Sequence, residues 1–353
     1  MFSTPDLLVH QTAKAGVLTL NRPQALNALN RDMVLAMRAT LEHWAGDPAI
    51  EVVLIRGAGD RAFCAGGDIR QIHDLGKVEG KAGTPAQLDF FADEYRLNAY
   101  LHRYPKPIVA MIDGIVMGGG VGVSVHGPYR VGSEKTLFAM PEVGIGFFPD
   151  VGGTHFLPRL KHEVGSYYAL TGERAKQADA HATGILTHCV PSARFDELEA
   201  ALGAGGKVGK TLARFHVDPG EAPIAAHLKA IERLFSGLSV EEILSDLDRE
   251  DGPSKAFAQK AALVMRGKSP TSQAIALRQM RIGRDMDMDT CMITEFRIVS
   301  HIMLGHDFYE GVRAAIIDKG ATPQWQPAAL SDVDPAVIAA HFSPPASGDL
   351  VMA

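Results

Sequence analysis

KPIVAMIDGIVMGGGVG, residues 106–122, sets an unbroken apolar run, Ile108 to Ile112, between the turn-like YPKP and a glycine triplet. A run of β-branched and aliphatic residues bounded by turn signals suits a strand buried on both faces. Upstream, Val17 to Leu20 and Val52 to Ile55 have the same character, and a further run opens near Leu137. Between the first two, Asn30 to Trp44 places Met33, Met37, Leu41 and Trp44 at spacings of four, four and three, one stripe of an amphipathic helix. Strands separated by helices and glycine-rich turns predict an α/β core.

Downstream the character changes. From Gly203 the stretches GAGGKVGK and DPGEAP are rich in glycine and proline with few large apolar residues, which predicts a linker over 203–224 after a core domain of 1–202. Residues 225–353 read as helical. Ser239 and Glu242 form a capping-box signature before EILSDL, and Leu263 to Met280 and Thr290 to Met303 have helical pattern.

The composition, 46% hydrophobic and 22% charged over 353 residues, is that of a globular protein with room for a substantial core. A formal net charge of -6 gives no basic field of the kind that draws a chain onto nucleic acid. Cys64, Cys189 and Cys291 match neither a disulfide framework nor a paired zinc motif, which points to a reducing compartment. The opening MFSTPDLLVHQTAKAG lacks the basic and apolar regions of a secretory signal and is not an Arg-rich transit segment. No window reaches the ~18 apolar residues of a membrane span. Together these predict a cytoplasmic protein with neither membrane nor nucleic acid as partner.

Three patterns mislead. AGGKVGKT at 204–211 misses the first glycine of a phosphate-binding loop and follows no apolar strand. GVSVH around Ser124 has His126 where a nucleophile elbow requires its second glycine. His301, His306 and Asp307 have the residue types of a metal site, but scattered histidines are commoner as satisfied surface groups, so no metal site is expected.

Two glycine-rich stretches, FCAGGD at 63–68 and MGGGVG at 117–122, each follow an expected strand. Alone, either reads as tight packing. In combination they allow two backbone N–H groups to approach one oxygen with no side chain in the way. A third stretch, FAMPEVGIGFFPDVGGTHFLPRL at 138–160, sets Glu142 and Asp150 in an apolar, glycine-rich surround, where carboxylates are costly unless paired, hydrogen-bonded or used. Each could instead cap a turn or helix, Asp150 directly preceding Val-Gly-Gly. The catalytic alternative is a carboxyl group whose proton affinity the apolar surround raises.

LNRPQALNALN at 20–30, FCAGGDIR at 63–70, KPIVAMIDGIVMGGGVG at 106–122 and FAMPEVGIGFFPDVGG at 138–153, in this order, resemble the enoyl-CoA hydratase/isomerase or crotonase family. The resemblance implies a spiral of repeated ββα units followed by a helical C-terminal region. It implies an acyl-CoA substrate, with CoA as part of the substrate and no separate cofactor, and an oxyanion hole from the amides of Gly67 and Gly119. It places the adenine end of CoA along Ala25, Leu26, Ala65 and Asp68. Hydratases of the family use two glutamates. Here the first position is Gly122, the second is Glu142, and Asp150 stands where hydratases carry a small residue. With SVHGPYRV and GHDFYEGVRAAIIDK at 305–319, these departures resemble the branch that hydrolyses 3-hydroxyacyl-CoA thioesters such as 3-hydroxyisobutyryl-CoA, an activity of valine catabolism. A hydratase or isomerase of the same fold, and a non-catalytic CoA- or RNA-binding scaffold, are the competing expectations. Relatives associate as trimers or hexamers, so a homo-oligomer is expected unless the longer helical tail folds over its own core.

Overall fold

The computed structural model describes residues 4–78 and 85–352. Its segments form two compact units that alternate along the sequence: 4–67, 96–139 and 174–223 in the first, and the described residues of 68–95, 140–173 and 224–352 in the second. The expected division into 1–202 and 225–353 does not coincide with these units. Residues 140–173, which carry Glu142 and Asp150, group with the C-terminal helices and not with the strands.

The first unit holds both sheets. Its strands are β1 (Leu7–Thr12), β2 (Ala15–Leu20), β3 (Val52–Gly57), β4 (Ala62–Cys64), β5 (Ile108–Ile112), β6 (Ile115–Met117), β7 (Tyr129–Gly132), β8 (Leu137–Ala139), β9 (Ala175–Lys176) and β10 (His188–Cys189). The larger sheet has the order β1-β2-β3-β5-β7-β10 and the smaller β4-β6-β8-β9. The pairs β3/β4, β5/β6 and β7/β8 each send their first strand to the large sheet and their second to the small one, so the chain winds forward in repeated turns. Apart from the β1–β2 hairpin and the β8–β9 edge, every pairing is parallel. That explains why β3 and β5 read as continuous apolar runs, since parallel strands are covered on both faces.

Helix Arg31–Gly46 forms as the periodicity requires. The Asn30 side chain accepts a hydrogen bond from Met33 N at 2.9 Å, and Met33, Met37, Leu41 and Trp44 are buried. Residues 203–224 are not merely a linker. They contain helix Val208–Phe215, whose Val208, Leu212 and Phe215 join a core with Val17, Leu54 and Val109 of the large sheet. The flanking glycines made the segment look featureless, yet its apolar residues recur at helical spacing. The helix Phe195–Gly203 precedes AGGKVGKT, so this string lacks the strand of a phosphate-binding loop.

In the second unit, every element of the stretch from Leu228 that is longer than a single turn is a helix. Ser239 accepts from Glu242 N at 3.1 Å, while the Glu242 carboxylate accepts from Leu238 N. The helical pattern over 263–280 belongs to two helices, Lys255–Arg266 and Pro270–Gly283. Pro270 cannot donate to a preceding turn, and Ser269 caps the new helix by accepting from Ser272 N. Among the described residues, no helix is long and apolar enough to cross a membrane.

Candidate active site

In the first unit, the two glycine loops adjoin. Gly66, at φ +123°, and Gly118, at φ +47°, take backbone conformations that side chains disfavour. A Cβ on Gly66 would lie 3.8 Å from Gly119 N, and one on Gly120 would collide with Cys64. Among the described residues, no main-chain carbonyl accepts from the N–H of Gly67 or Gly119. Gly119 opens the short helix Gly119–Gly122, where an N–H has no partner within the helix. Two N–H groups on adjoining loops thus have no main-chain acceptor among the described residues. Gly122 lies buried in that same turn with no side chain to move a proton.

Of the residues expected along CoA, three meet in the first unit. Leu26 is left-handed at φ +51°, and its carbonyl accepts from Ala65 N at 3.0 Å, one residue beyond the turn Pro23–Ala25. Buried Asn27 fixes this turn by donating to the carbonyls of Ala58 and Ala62. Asp68 belongs to the second unit, where its side chain accepts from Gln71 N at 3.3 Å and its carbonyl from Ile72 N, holding the start of helix Ile69–Val78.

The second unit brings Glu142 and Asp150 together with groups that the sequence did not single out. Glu142 opens the turn Glu142–Ile145 and is buried, and its Oε2 has no hydrogen-bond partner among the described residues. Burial, reinforced by the charge of Asp150, pushes its carboxyl well above the ordinary range. Asp150 accepts from Tyr95 Oη at 2.9 Å. Burial raises its pKa to about 7, and the tyrosine bond opposes the rise. The capping alternative fails for both residues: Gly152 precedes helix Gly153–Phe156, Pro141 precedes the Glu142 turn, and neither start has a side-chain cap.

Two further carboxylates lie within electrostatic reach. Glu94 is buried on helix Pro85–His102 with Oε1 unpartnered, and burial, then Asp150 and Glu295, push it well above its ordinary value. Glu295, fully buried on helix Met288–Ile302, accepts from Gly152 N and Thr154 N at 2.9 Å each. Burial and the Asp150 charge raise it to about 8, while those amide bonds work in the opposite direction. Glu295 therefore clamps the backbone that follows Asp150. Gln279 adds bonds to Pro149 O and Thr154 Oγ1, and Gly283 passes so close that a Cβ there would strike the Thr154 carbonyl. Phe91, Phe147 and Phe308 pack in series, with ring centroids 5.6 and 5.7 Å apart, and keep the surround apolar. Gly311, within GHDFYEGVRAAIIDK, leaves no room for a Cβ against Ile145, so this C-terminal motif packs on the Glu142 turn.

Sequence reading missed Glu94, Tyr95 and Glu295. The available signal was a polar interruption of an apolar stripe: Phe91, Glu94, Tyr95 and Asn98 share one helix face, and Glu295 sits among buried Met292, Phe296 and Val299. His306 Nδ1 lies 3.2 Å from Asp307 Oδ1, but His301 does not join them in a three-ligand cluster among the described residues. The Asp307 carboxylate accepts from Ser269 Oγ and Gln326 N, and His301 lies against Arg297 O.

A dry cluster of carboxyl groups, one restrained by a phenol and two with an oxygen unclaimed, suits acid–base or nucleophilic work on a polar ligand. A family model described as enoyl-CoA hydratase/isomerase matches residues 15–342. Relatives include the mitochondrial 3-hydroxyisobutyryl-CoA hydrolases of Danio rerio (46% identical, 96% of this chain and 89% of that protein) and Homo sapiens (43%, 98% and 90%). Among solved structures, a carnitinyl-CoA dehydratase from Mycobacterium thermoresistibile superposes with a TM-score of 0.90 at 39% identity, covering 98% of each chain. An enoyl-CoA hydratase from Rhodobacter sphaeroides 2.4.1 does so with a TM-score of 0.88 at 38% identity, covering 98% of this chain and 100% of that one.

Proposed function

Because this chain belongs to the enoyl-CoA hydratase/isomerase family, we propose that it hydrolyses the thioester of short 3-hydroxyacyl-CoA substrates, foremost 3-hydroxyisobutyryl-CoA, giving CoA and the free 3-hydroxy acid. The observation that carries this reading is the buried pair Glu142 and Asp150, whose proton affinities burial raises above the ordinary carboxyl range, in a chain with Gly122 where a hydratase needs its first glutamate.

In the proposed reaction the thioester carbonyl oxygen becomes an oxyanion that accepts from the N–H groups of Gly67 and Gly119. Each such donor lowers the barrier by roughly 2.7–4 kcal/mol. Glu142 either attacks the carbonyl carbon, forming an anhydride that water then opens, or takes a proton from the attacking water. The C–S bond breaks in both courses: as base, Glu142 returns the proton it took to the departing thiolate, and as nucleophile it leaves the thiolate to take a proton from solvent water. Asp150 accepts from the substrate 3-hydroxyl in its ionised form, with Tyr95 fixing its orientation, and the unclaimed oxygen of Glu94 is a second acceptor. The adenine end of CoA lies along Ala25, Leu26, Ala65 and Asp68. This chemistry runs on carboxyl groups and main-chain amides, with CoA as substrate.

The second reading is a hydratase or dehydratase, favoured by the names of the two solved structures. It requires a side chain at Gly122 to move a proton. Thiol release and product analysis on 3-hydroxyisobutyryl-CoA, 3-hydroxypropionyl-CoA, isobutyryl-CoA and crotonyl-CoA separate the two. Hydrolysis predicts fastest CoA release from the hydroxylated thioesters. Efficient hydration of crotonyl-CoA without CoA release would establish the second reading instead.

A role in valine catabolism, a homo-oligomeric state and a cytoplasmic location belong to the same proposal. The last rests on three buried cysteines that form no disulfide, which suits any reducing compartment, and the relatives' names place those proteins in mitochondria. Cell fractionation and light scattering test location and assembly.

A further inference from the structure

On the first unit, three potential ligands converge from three elements: His181 from helix Gln177–Ala182, Cys189 from β10, and His216 immediately after helix Val208–Phe215. One ligand atom from each lies within 4.8 Å of the others. We propose that His181, Cys189 and His216 bind a zinc-class divalent ion, with water completing a tetrahedral set.

The backbone holds these positions independently of any ion. Val217 N donates to Cys189 O at 2.8 Å, which ties the segment after the helix to β10. Leu212 and Phe215 on one side, and Val190 beside Cys189, belong to one buried core. Cys189 N donates to His216 Nδ1 at 2.9 Å, so the neutral ring carries its lone pair on the nitrogen nearest the cysteine. Metal coordination by that nitrogen replaces the amide bond. The His181 and His216 rings lie 5.3 Å apart. Burial and each other's proximity keep His181 below the ordinary histidine range, in the neutral form that ligates.

Two imidazoles and a thiol form a borderline-soft set that selects zinc over magnesium or calcium. Bonds of about 2.0–2.3 Å place ligand atoms ~3.5 Å apart, so the set must close by about 1 Å. Half-exposed His181 and exposed His216 have the side-chain freedom to do so. Burial pushes the Cys189 thiol up to about 11, so an ion binds by displacing its proton to solvent and forming the metal–sulfur bond. Neighbouring Asp218 adds negative charge that favours the cation. His188 is adjacent, its ring edge-on to His216, but it is not one of the converging set.

The test is titration of the chelator-treated full chain with Co²⁺ and then Zn²⁺. The proposal expects one equivalent per chain, a thiolate-to-cobalt charge-transfer band, bleaching of that band by Zn²⁺, and a higher Tm with the metal bound. Cys189→Ser should abolish the band, and His181→Ala or His216→Ala should weaken binding at least about 10-fold. His188→Ala should leave it unchanged. Melting of each metal-free variant checks folding, and the half-exposed His181→Ala keeps the test decisive should Cys189→Ser not fold. Absence of stoichiometric uptake by the wild-type chain, or a band and affinity that survive both Cys189→Ser and His181→Ala, would overturn the proposal.

Discussion

The glycine loops at 63–68 and 117–122 present the main-chain N–H groups of Gly67 and Gly119, whereas the segment 142–154 presents buried carboxyl groups. Each solution has a different cost. The loops require backbone conformations at Gly66 and Gly118 that other residues avoid, but their amides carry no charge and do not titrate. The acidic segment has left-handed positions of its own, at Gly146, Val151 and Gly152, and in addition buries Glu142 and Asp150, with Glu94 and Glu295 adding like charge nearby. Substitution, pH and substrate should therefore act on the second region, and only backbone changes on the first.

The largest expected effect is in the acidic segment. Glu142→Gln keeps the shape of the side chain but can neither attack a carbonyl nor accept a proton, so kcat should fall by about 10³-fold while substrate binding persists. Thiol-release kinetics with a separate binding titration check this, and turnover above a tenth of wild type would return Glu142 to a structural role. In the glycine loops, alanine at a helical φ retains the N–H, whereas Gly119→Pro removes it. The proline variant, shown to be folded by circular dichroism, should lose about 10²- to 10³-fold in kcat. Normal turnover in that variant would remove Gly119 from the oxyanion hole.

A smaller effect separates recognition from chemistry within the acidic segment. Asp150→Asn should narrow the kcat/KM ratio between 3-hydroxyisobutyryl-CoA and isobutyryl-CoA by about 10-fold, because the buried acceptor for the hydroxyl is weakened. An unchanged ratio with both rates lowered would make Asp150 an acid–base group for C–S cleavage. Its pH dependence has a definite sign. With a folded-state pKa of about 7, Asp150 ionises as pH rises, so discrimination for the hydroxyl should grow from pH ~6 to ~8 in the wild type and stay flat in Asp150→Asn.

What was legible in the sequence follows the same contrast. Gly67, Gly119, Glu142 and Asp150 sit in contiguous motifs, and the resemblance of those motifs to the family singled them out. Tyr95 reaches Asp150 from 55 positions away and Glu295 reaches Gly152 from 143, so their roles exist only once the chain has folded. Strands such as Ile108–Ile112 were readable because parallel strands are apolar throughout. The interleaving of the two units was not, because chain order says nothing about which helices cover a loop. Helical periodicity across 263–280 concealed the break at Ser269–Pro270, where the proline and the serine cap outweigh the apolar pattern. The His181, Cys189 and His216 group was invisible to motif spacing, since a helix, a strand and the residue after a second helix supply one ligand each.

In the proposed mechanism Glu142 stays buried at a cost to folding because catalysis uses it. Melting of wild type and Glu142→Gln, compared at about pH 5 and about pH 8, tests it most directly. The folded state raises the proton affinity of Glu142 above its ordinary 4.5, so the folded chain retains a proton that the unfolded chain has lost. Wild-type stability then declines as pH rises from 4.5 through the folded-state value, while glutamine has no proton to lose. Glu142→Gln should melt about 2 °C or more above wild type at the higher pH, with a smaller difference at the lower, while turnover is nearly abolished. A variant that melts below wild type by the same amount at both pH values and still releases CoA would contradict it.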